Sequence, residues 1–357
     1  MPLRLGFDSR MSRFNLDFPF MIAPMVGLSH VSFRELVQSY VPQGLSAIRF
    51  TEMLSTRRLP NERLETTNEL KCSENESFYI PQLLGNEEKY ITPSVEKLLT
   101  RNPWGFDINM GCPTSHTLRH NWGVRLMGDK NYAAEVVRIT KNATKLPVSV
   151  KLRGGPAQDE DQDYLVTFTE ALEDAGADWI TIHPRPRAQK HKGEANWSLA
   201  AGVRAHRKIP VVVNGDLQTS ADALYVCQQL GLDGAMIARA ATARPWILWQ
   251  IAEDLGYDVA PLSHSGRRAP RGPEAEGQEY LAACLEFINH LEKYIDTEEK
   301  GLEKFRFFAA TGARWLQFGH NFWKVSTQAK SYGALREGVL RFQESSDFIM
   351  HDRVQFS

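Results

Sequence analysis

The chain has 357 residues, of which 42% are hydrophobic and 24% are charged, and its formal net charge is −1 at pH 7. These values are typical of a globular protein, and they exclude a polycation that binds nucleic acid through its bulk charge. The four cysteines are far apart and form no CxxC pair, which argues against a structural zinc site or an iron–sulfur cluster and favours a reducing compartment. The N-terminus lacks the apolar segment of a signal peptide, and no run of about 18 apolar residues occurs. We therefore expect a cytoplasmic protein with no membrane span and no metal.

From Phe20 to about Gly256, short apolar runs alternate with amphipathic segments of helix length. Strands that are apolar throughout are typical of parallel sheets that are covered on both faces. Eight such strands, each followed by a helix-length segment, predict an α/β fold of the (β/α)₈ TIM barrel type, with a doubly wound sheet as the alternative. The predicted strands are Phe20–Met25, Ala47–Met53, Tyr79–Gly85, Phe106–Met110, Val148–Leu152, Trp179–His183, Val211–Asn214 and Ala235–Ala238.

The remainder of the chain differs in composition from the barrel region. Residues 260–276 are rich in Pro, Gly and charge, which is typical of a linker. Helical periodicity follows in Gln278–Ile295, Gly301–Phe318 and Ser331–Glu344, and helices of this number form a small bundle. We therefore expect a catalytic barrel over 1–256, a linker over 257–276 and a small C-terminal helical bundle over 277–357.

One lone cysteine, Cys112, follows a buried strand directly, within the sequence Asn109-Met-Gly-Cys-Pro113. A single cysteine at a strand-to-loop edge, in a chain without a disulfide pattern, is a candidate reactive group. The alternative is a buried structural thiol, which is the commoner fate of a free cysteine.

Polar or sulfur-containing side chains lie at or just past the C-terminal end of the predicted strands. In a barrel these strand ends meet at one mouth, where active sites are built. The alternative is that some of these residues only cap the rim or pair with one another, although buried cations are costly without a ligand or partner. The residues concerned are Met25, Glu52, Gln82, Asn109, Lys151, Arg153, His183, Asn214 and Arg239.

Two groups of these residues suit particular ligands. Lys151 and Arg153 alternate along one strand and therefore point the same way, where a lysine can stabilise an anionic reduced flavin and an arginine can bind a second ligand. The alternative is a pair of rim cations that bridge to Asp107 or Glu52. The loops after strands seven and eight, which carry Asn214 and Arg239, suit a phosphate monoester.

Eight short motifs occur along the chain: Ala23–Met25, Thr51–Met53, Gln82–Gly85, Asn109–Pro113, Val150–Arg153, His183–Arg185, Asn214–Asp216 and Met236–Arg239. In their order and spacing they resemble the tRNA-dihydrouridine synthase family from about Phe20 to Trp246, and the helical tail resembles that family's RNA-binding domain. The segment Ala313–Gly319 is similar to the bacterial uridine-16 subgroup.

The resemblance implies an FMN-dependent, NADPH-driven reduction of the C5=C6 bond of a uridine in tRNA. Hydride then passes from flavin N5 to C6, and Cys112 gives a proton to C5, a role that suits a thiol because it is mostly protonated at neutral pH. The resemblance also implies a monomer, and it assigns substrate contacts to Asn109, Arg153 and Arg185. The FMN-binding positions that it implies are Pro24, Met25, Gln82, Lys151, His183, Asn214, Gly215, Asp216, Ala238 and Arg239.

The family's usual Gly-Arg-Gly of the eighth strand is Ala238-Arg239-Ala240 in this chain, which adds two methyl groups beside the expected phosphate site.

The helical tail supports an RNA substrate. Between Lys300 and Arg341 there are eight cations and two acids, a local charge of +6, and basic helices bind phosphates. The interleaved aromatic residues are expected in the bundle core. The alternatives are an FMN barrel that acts on a free pyrimidine, similar to dihydroorotate dehydrogenase, and a non-catalytic tRNA-binding protein. The aromatic residues are Phe307, Phe308, Trp315, Phe318, Phe322 and Trp323.

Overall fold

A computed structural model describes residues 9–74, 76–156, 161–189, 193–345 and 348–355. Its eight strands pair in parallel and in sequence order, and the last strand pairs with the first, so the predicted (β/α)₈ barrel is confirmed. The strands are β1 (Phe20–Ile22), β2 (Arg49–Ser55), β3 (Tyr79–Leu84), β4 (Phe106–Met110), β5 (Val148–Gly155), β6 (Trp179–Pro186), β7 (Val211–Asn214) and β8 (Gly234–Ile237).

Some strand ends differ from the prediction. β5 and β6 each continue three residues further, because they pair through an irregularity and Gly155 becomes the partner of Pro186. Arg153 therefore lies within β5 and not beyond its end. β1 ends three residues early, and the backbone N–H of Met25 donates to Ser29 Oγ (2.8 Å) in the turn that follows.

Helices surround the barrel and form the tail. The barrel helices are α1 (Val31–Ser39), α2 (Glu88–Leu99), α3 (Ser115–Arg119), α4 (Lys130–Ala143), α5 (Gln162–Asp174), α6 (Trp197–Arg204), α7 (Ser220–Gln228), α8 (Ala240–Ala243) and α9 (Ile247–Asp254). The tail helices are α10 (Pro273–Tyr294), α11 (Glu298–Gly312), α12 (Gly319–Gln328) and α13 (Tyr332–Gln343).

The tail helices depart from the expected bounds. α10 begins at Pro273, inside the stretch that reads as a linker, because a proline without an N–H is tolerated in the first turn of a helix. The predicted helix Gly301–Phe318 ends at Gly312, and the chain turns before α12, a helix that the sequence analysis did not specify. Gly319 permits this turn, since a Cβ there would lie 1.8 Å from the carbonyl oxygen of Ala313.

The core has two parts. One lies inside the barrel, where Met11 and Phe14 of the N-terminal segment close the end opposite the strand carboxyl termini. The other lies outside the strands and runs without a break from the barrel helices into the tail. The proposed division at residues 256 and 276 therefore separates regions of sequence that share one apolar core.

Buried polar contacts also join the tail to the barrel. Arg244 donates to the carboxylate of Glu276 (2.9 Å), which also accepts from Gln250 (2.7 Å), and Tyr40 donates to Glu279 (2.9 Å). Removal of one partner from a buried ion pair of this kind is costly, because the remaining charge is left without a partner.

The aromatic residues of the tail divide into two sets. The expectation of a core position is confirmed for Phe308, Trp315 and Phe322, which are buried. It is wrong for Phe307, Phe318 and Trp323, which remain exposed on the amphipathic helices and their connection. No helix in the described parts of the chain is both long and apolar enough to cross a membrane.

The docking of α11 on α8 can be tested at Gly312. A Cβ at this position would lie 2.6 Å from the carbonyl oxygen of Thr242, so we expect Gly312→Ala to lower the free energy of unfolding by about 1–3 kcal/mol. Gly333→Ala is the matched control, since only Ser331 Oγ, at 3.8 Å, lies near its added methyl group. Urea denaturation measures both, and equal stability of the two variants would contradict the packing.

Candidate active site

A cavity of about 450 Å³ opens at the mouth formed by the carboxyl ends of the strands, a size that is typical of ligand sites. Cys112, Lys151 and His183, which lie on different strands and loops, all face it. Every other FMN-binding or substrate-binding residue that the resemblance implies lines it too, namely Pro24, Met25, Gln82, Asn109, Arg153, Arg185, Asn214, Gly215, Asp216, Ala238 and Arg239. Glu52, which also stands at a predicted strand end, does not line it.

A chain of hydrogen bonds crosses the barrel interior beneath this cavity. Asp107 of β4 is fully buried, and it accepts from Ser149 Oγ (2.6 Å) and from Gln82 Nε2 (2.7 Å). Asn109 Nδ2 donates to Gln82 Oε1 (2.8 Å), which continues the chain towards the mouth. The carboxyl group in the core thus fixes which way the Gln82 amide points.

The same chain of hydrogen bonds ends at the cysteine loop, which is the segment after β4 that carries Cys112. Asn109 Oδ1 accepts from the backbone N–H groups of Gly111 (3.1 Å) and Cys112 (3.0 Å). The carbonyl oxygen of Cys112 accepts from Val124 N (3.1 Å), close to Gly123, where φ is +59° and a Cβ would lie 2.5 Å from that oxygen. The backbone of Cys112 is therefore held on both sides, while its side chain remains partly accessible at the cavity.

Two groups in this region have shifted pKa values. Burial raises the pKa of Asp107 to about 7, although the hydrogen bonds from Gln82 and Ser149 oppose the shift. Burial lowers the pKa of Lys151 to about 8, with Asp107 opposing and Arg153 adding to the shift. Lys151 lines the cavity and Asp107 is fully buried. A strongly shifted group at a cavity is typical of functional sites.

Arg153 contributes to the shape of the site. Its guanidinium donates to the carbonyl oxygens of Gly111 (3.0 Å) and Pro186 (3.3 Å), so it ties the cysteine loop to the end of β6. Glu52, the partner considered in the alternative interpretation, instead accepts from Gly27 N (2.7 Å) and lies 3.8 Å from Lys304.

Arg185 organises the part of the cavity formed by β6 and the loop that follows β7. It is buried, and it forms an ion pair with Asp216 (2.5 Å) and a hydrogen bond with the carbonyl oxygen of Gly193 (2.6 Å). It also donates to His183 Nε2 (3.2 Å), an arrangement that suits a neutral imidazole. Gly215, with φ of +106°, brings the backbone so close to His183 that a Cβ would lie 2.7 Å from its ring.

The far end of the cavity is cationic. Burial lowers the pKa of Arg239 to about 10, with Asp216 opposing the shift and Arg185 and Arg314 adding to it. Among the described residues that line the cavity, Asp216 is the one carboxylate, and its charge is paired with Arg185. An anionic group such as a phosphate suits this end, beside the methyl group of Ala238.

The tail contributes cavity residues that the sequence analysis missed. Phe307 and Thr311 of α11 line the cavity, and Phe307 packs over Gly27, where φ is +79° and a Cβ would lie 2.9 Å from the ring. Lys304, one turn earlier, faces Glu52. The only sequence signal is their spacing of three and four residues, which places them on one face of a helix.

The basic character of the tail is smaller than its composition indicates. Arg336 pairs with Glu292 (2.5 Å), and Arg306 donates to the carbonyl oxygens of Ser326 (3.4 Å) and Ala329 (3.2 Å). Fewer of these cations are therefore available to an anionic ligand than the local charge of +6 indicates.

Comparison with known proteins identifies the family. The profile "Dihydrouridine synthase (Dus)" matches residues 21–310. The chain belongs to the dihydrouridine synthase family. It is 34% identical over 254 residues to "Probable tRNA-dihydrouridine synthase" of Rhodobacter capsulatus, covering 70% of this chain and 76% of that protein. It is 29% identical over 289 residues to "tRNA-dihydrouridine synthase B" of Pseudomonas aeruginosa, covering 81% of this chain and 82% of that protein.

A solved structure agrees with the fold of this Dus family member. A 2-naphthoyl-CoA reductase complex has a TM-score of 0.50 at 10% identity, covering 71% of this chain and 52% of that chain. The likeness supports the barrel and does not bear on the substrate. Membership of the uridine-16 subgroup stays a prediction.

The buried carboxyl group makes a testable contribution to stability. Because the folded-state pKa of Asp107, at about 7, exceeds the ordinary value of about 3.9, unfolding releases a proton between these values. Stability therefore falls as pH rises through this window and levels off above about pH 7. We expect the Asp107→Asn variant to lack this pH dependence. Its free energy of unfolding, relative to that of wild type, should therefore rise by up to about 3 kcal/mol between pH 5 and pH 8.

Urea denaturation at the two pH values provides the measurement. Asp258→Asn is the control, since this carboxylate is 84% exposed and pairs with Arg268 at the surface. A difference between Asp107→Asn and wild type that does not change with pH would mean that the carboxyl group is ionised throughout.

Proposed function

We propose that this protein reduces a uridine of tRNA to 5,6-dihydrouridine, with FMN as its cofactor and NADPH as the reductant. The observation that carries the proposal is the meeting of Cys112, Lys151 and His183 at one cavity of a Dus-family barrel. In the net reaction the C5=C6 bond gains a hydride and a proton, and NADPH is oxidised to NADP⁺. We further propose that the protein acts as a cytoplasmic monomer.

The residues at the cavity fit FMN. Gly215 allows close backbone approach beside His183, and Arg239 provides positive charge at the end that suits a phosphate. Lys151 provides a second cation deeper in the barrel, where it would neutralise the ring edge of a reduced flavin. Asn214, whose amide donates to the carbonyl oxygen of Met236 (2.7 Å), holds the loop that would approach the cofactor.

The protein's own residues would complete the chemistry. A bound flavin supplies hydride to C6 of uracil. The Cys112 thiol holds the proton for C5, and the backbone contacts with Asn109 keep that thiol at the cavity. Lys151 and Arg153 are cations near the negative charge that develops on the uracil ring, which lowers the barrier to reduction.

The target base must reach this cavity from an RNA. A base stacked in a helix or loop cannot approach a ring buried in a barrel mouth, so the uridine is expected to leave its stack. Phe307 and Thr311 at the rim provide a surface for the emerging nucleotide. The wall formed by α11 is the structural feature that favours a macromolecular substrate over a free pyrimidine.

Cofactor and substrate can be tested on the full-length protein. We expect the purified protein to be yellow, to lose its flavin absorbance with NADPH and to regain it when unmodified tRNA is added. Mass spectrometry should then find a gain of two hydrogens at one nucleotide. Reoxidation of the reduced flavin by orotate or uracil but not by tRNA would favour the free-pyrimidine alternative, and a protein that binds tRNA but takes up no flavin would favour the non-catalytic one.

The role of Cys112 gives a separate prediction. We expect Cys112→Ala to retain FMN and to be reduced by NADPH at the wild-type rate, but to form dihydrouridine at least about 100-fold more slowly, since a positioned general acid contributes roughly that factor. Stopped-flow absorbance separates the two half-reactions. Cys72→Ala is the matched control, because this half-buried thiol lies outside the cavity beside Leu70. Wild-type dihydrouridine formation by Cys112→Ala would remove the thiol from the mechanism.

A further inference from the structure

One face of α11 connects the active-site cavity to a second cavity on the tail. Lys304, Phe307, Thr311 and Arg314 follow one another at intervals of three or four residues, which places them along one side of the helix and its continuation. The first approaches Glu52 of the barrel, the next two line the active-site cavity, and Arg314 lines the second cavity.

This second cavity has a volume of about 420 Å³ and lies between the end of α11 and α12. The side chains that give it its chemistry are Arg314, Gln317, His320 and Trp323. Trp323 is 39% exposed although it is one of the largest apolar side chains, and no carboxylate is found among the described residues that line the cavity. The close approach of Gly319 to Ala313 shapes its floor.

We propose that this cavity is a subsite for a nucleotide that flanks the target uridine in the RNA substrate. The indole of Trp323 stacks on the flanking base, the Arg314 guanidinium binds the adjoining phosphate, and Gln317 and His320 provide polar contacts. The inference rests on the proposed function, because it assumes that an RNA strand enters the active-site cavity.

The chemistry of the cavity favours this occupant. Unpaired RNA bases are recognised by stacking on aromatic rings and by arginine contacts with phosphate. Extrusion of the uridine also removes one stacking partner from each neighbouring base, so a flanking base needs a new surface.

The two cavities also lie close together. Thr311 and Arg314 are three residues apart, which is about one helical turn at a rise of about 1.5 Å per residue. An adjoining nucleotide can span this distance. Arg314 contributes to the lowered pKa of Arg239, which is consistent with one continuous cationic path.

The affinity for RNA tests the subsite independently of the reaction. The probe is a labelled, unmodified tRNA transcript, titrated with full-length protein in the absence of NADPH. We expect Trp323→Ala to raise Kd about 10-fold, the usual effect of losing one base–aromatic stack, and Trp323→Phe to recover most of the affinity. Leu340→Ala is the control, because this residue of α13 is 48% exposed and lines neither cavity.

The salt dependence tests the phosphate contact. We expect Arg314→Ala to reduce the slope of log Kd against log salt concentration by about one, and Arg314→Lys to restore it. The Trp323→Ala and Arg314→Ala variants should each keep a kcat near wild type while KM for tRNA rises, since the flanking contact does not touch the reacting atoms. Circular dichroism checks that each variant is folded.

The outcomes separate this inference from the proposed function. If dihydrouridine forms and Trp323→Ala binds tRNA like wild type, the subsite is wrong and the function stands. If tRNA binding depends on Trp323 but no dihydrouridine forms, the proposed function is wrong and the subsite stands. A wild-type protein that does not bind the transcript would overturn both.

Discussion

The arrangement of the active site depends on how a carboxyl group is accommodated inside the barrel. Asp107 is fully buried, and a buried polar group is tolerated only when its hydrogen bonds are made. The strand registers provide those partners, because Gln82 and Ser149 lie opposite Asp107 on the neighbouring strands. A slip of one residue in either pairing would turn these side chains away from the interior. The same registers therefore fix the hydrogen-bond chain that ends at the Cys112 loop.

Much of the fold follows from local features of the sequence. The bounds of β4 and β7 agree with the prediction because each is delimited by Gly or Pro, as at Gly105 and Pro210, where the chain must turn. The positions of the site residues follow from the same pattern, since parallel strands bring their carboxyl ends to one mouth. The extensions of β5 and β6 were not predictable, because they depend on pairing between Gly155 and Pro186, which no single segment encodes.

The contribution of the tail could not be predicted for a related reason. Glu52 stands at a strand end and carries the same signal as the residues that line the cavity, yet it serves Gly27 and approaches Lys304, which lies some 250 residues away in the chain. Burial raises the pKa of Glu52, and the contacts with Gly27 and Lys304 oppose that shift. Similarly, nothing local distinguishes Phe307, which lines the cavity, from Phe308, which is buried in the bundle. A single sequence shows which face of a helix is apolar, but it does not show what that face packs against.

These contacts change how the tail should be understood. A separable RNA-binding module would keep its own core and leave the barrel mouth intact when it is removed. Here the apolar core is continuous, Glu276 of α10 is buried against Arg244 of the barrel, and Phe307 forms part of the cavity wall. Truncation before α10 would leave Arg244 buried without its carboxylate and would open the cavity to solvent, so loss of activity after truncation would not distinguish an RNA substrate from a free pyrimidine. Point substitutions on the exposed face of the tail, which leave that core intact, separate RNA recognition from the integrity of the catalytic barrel.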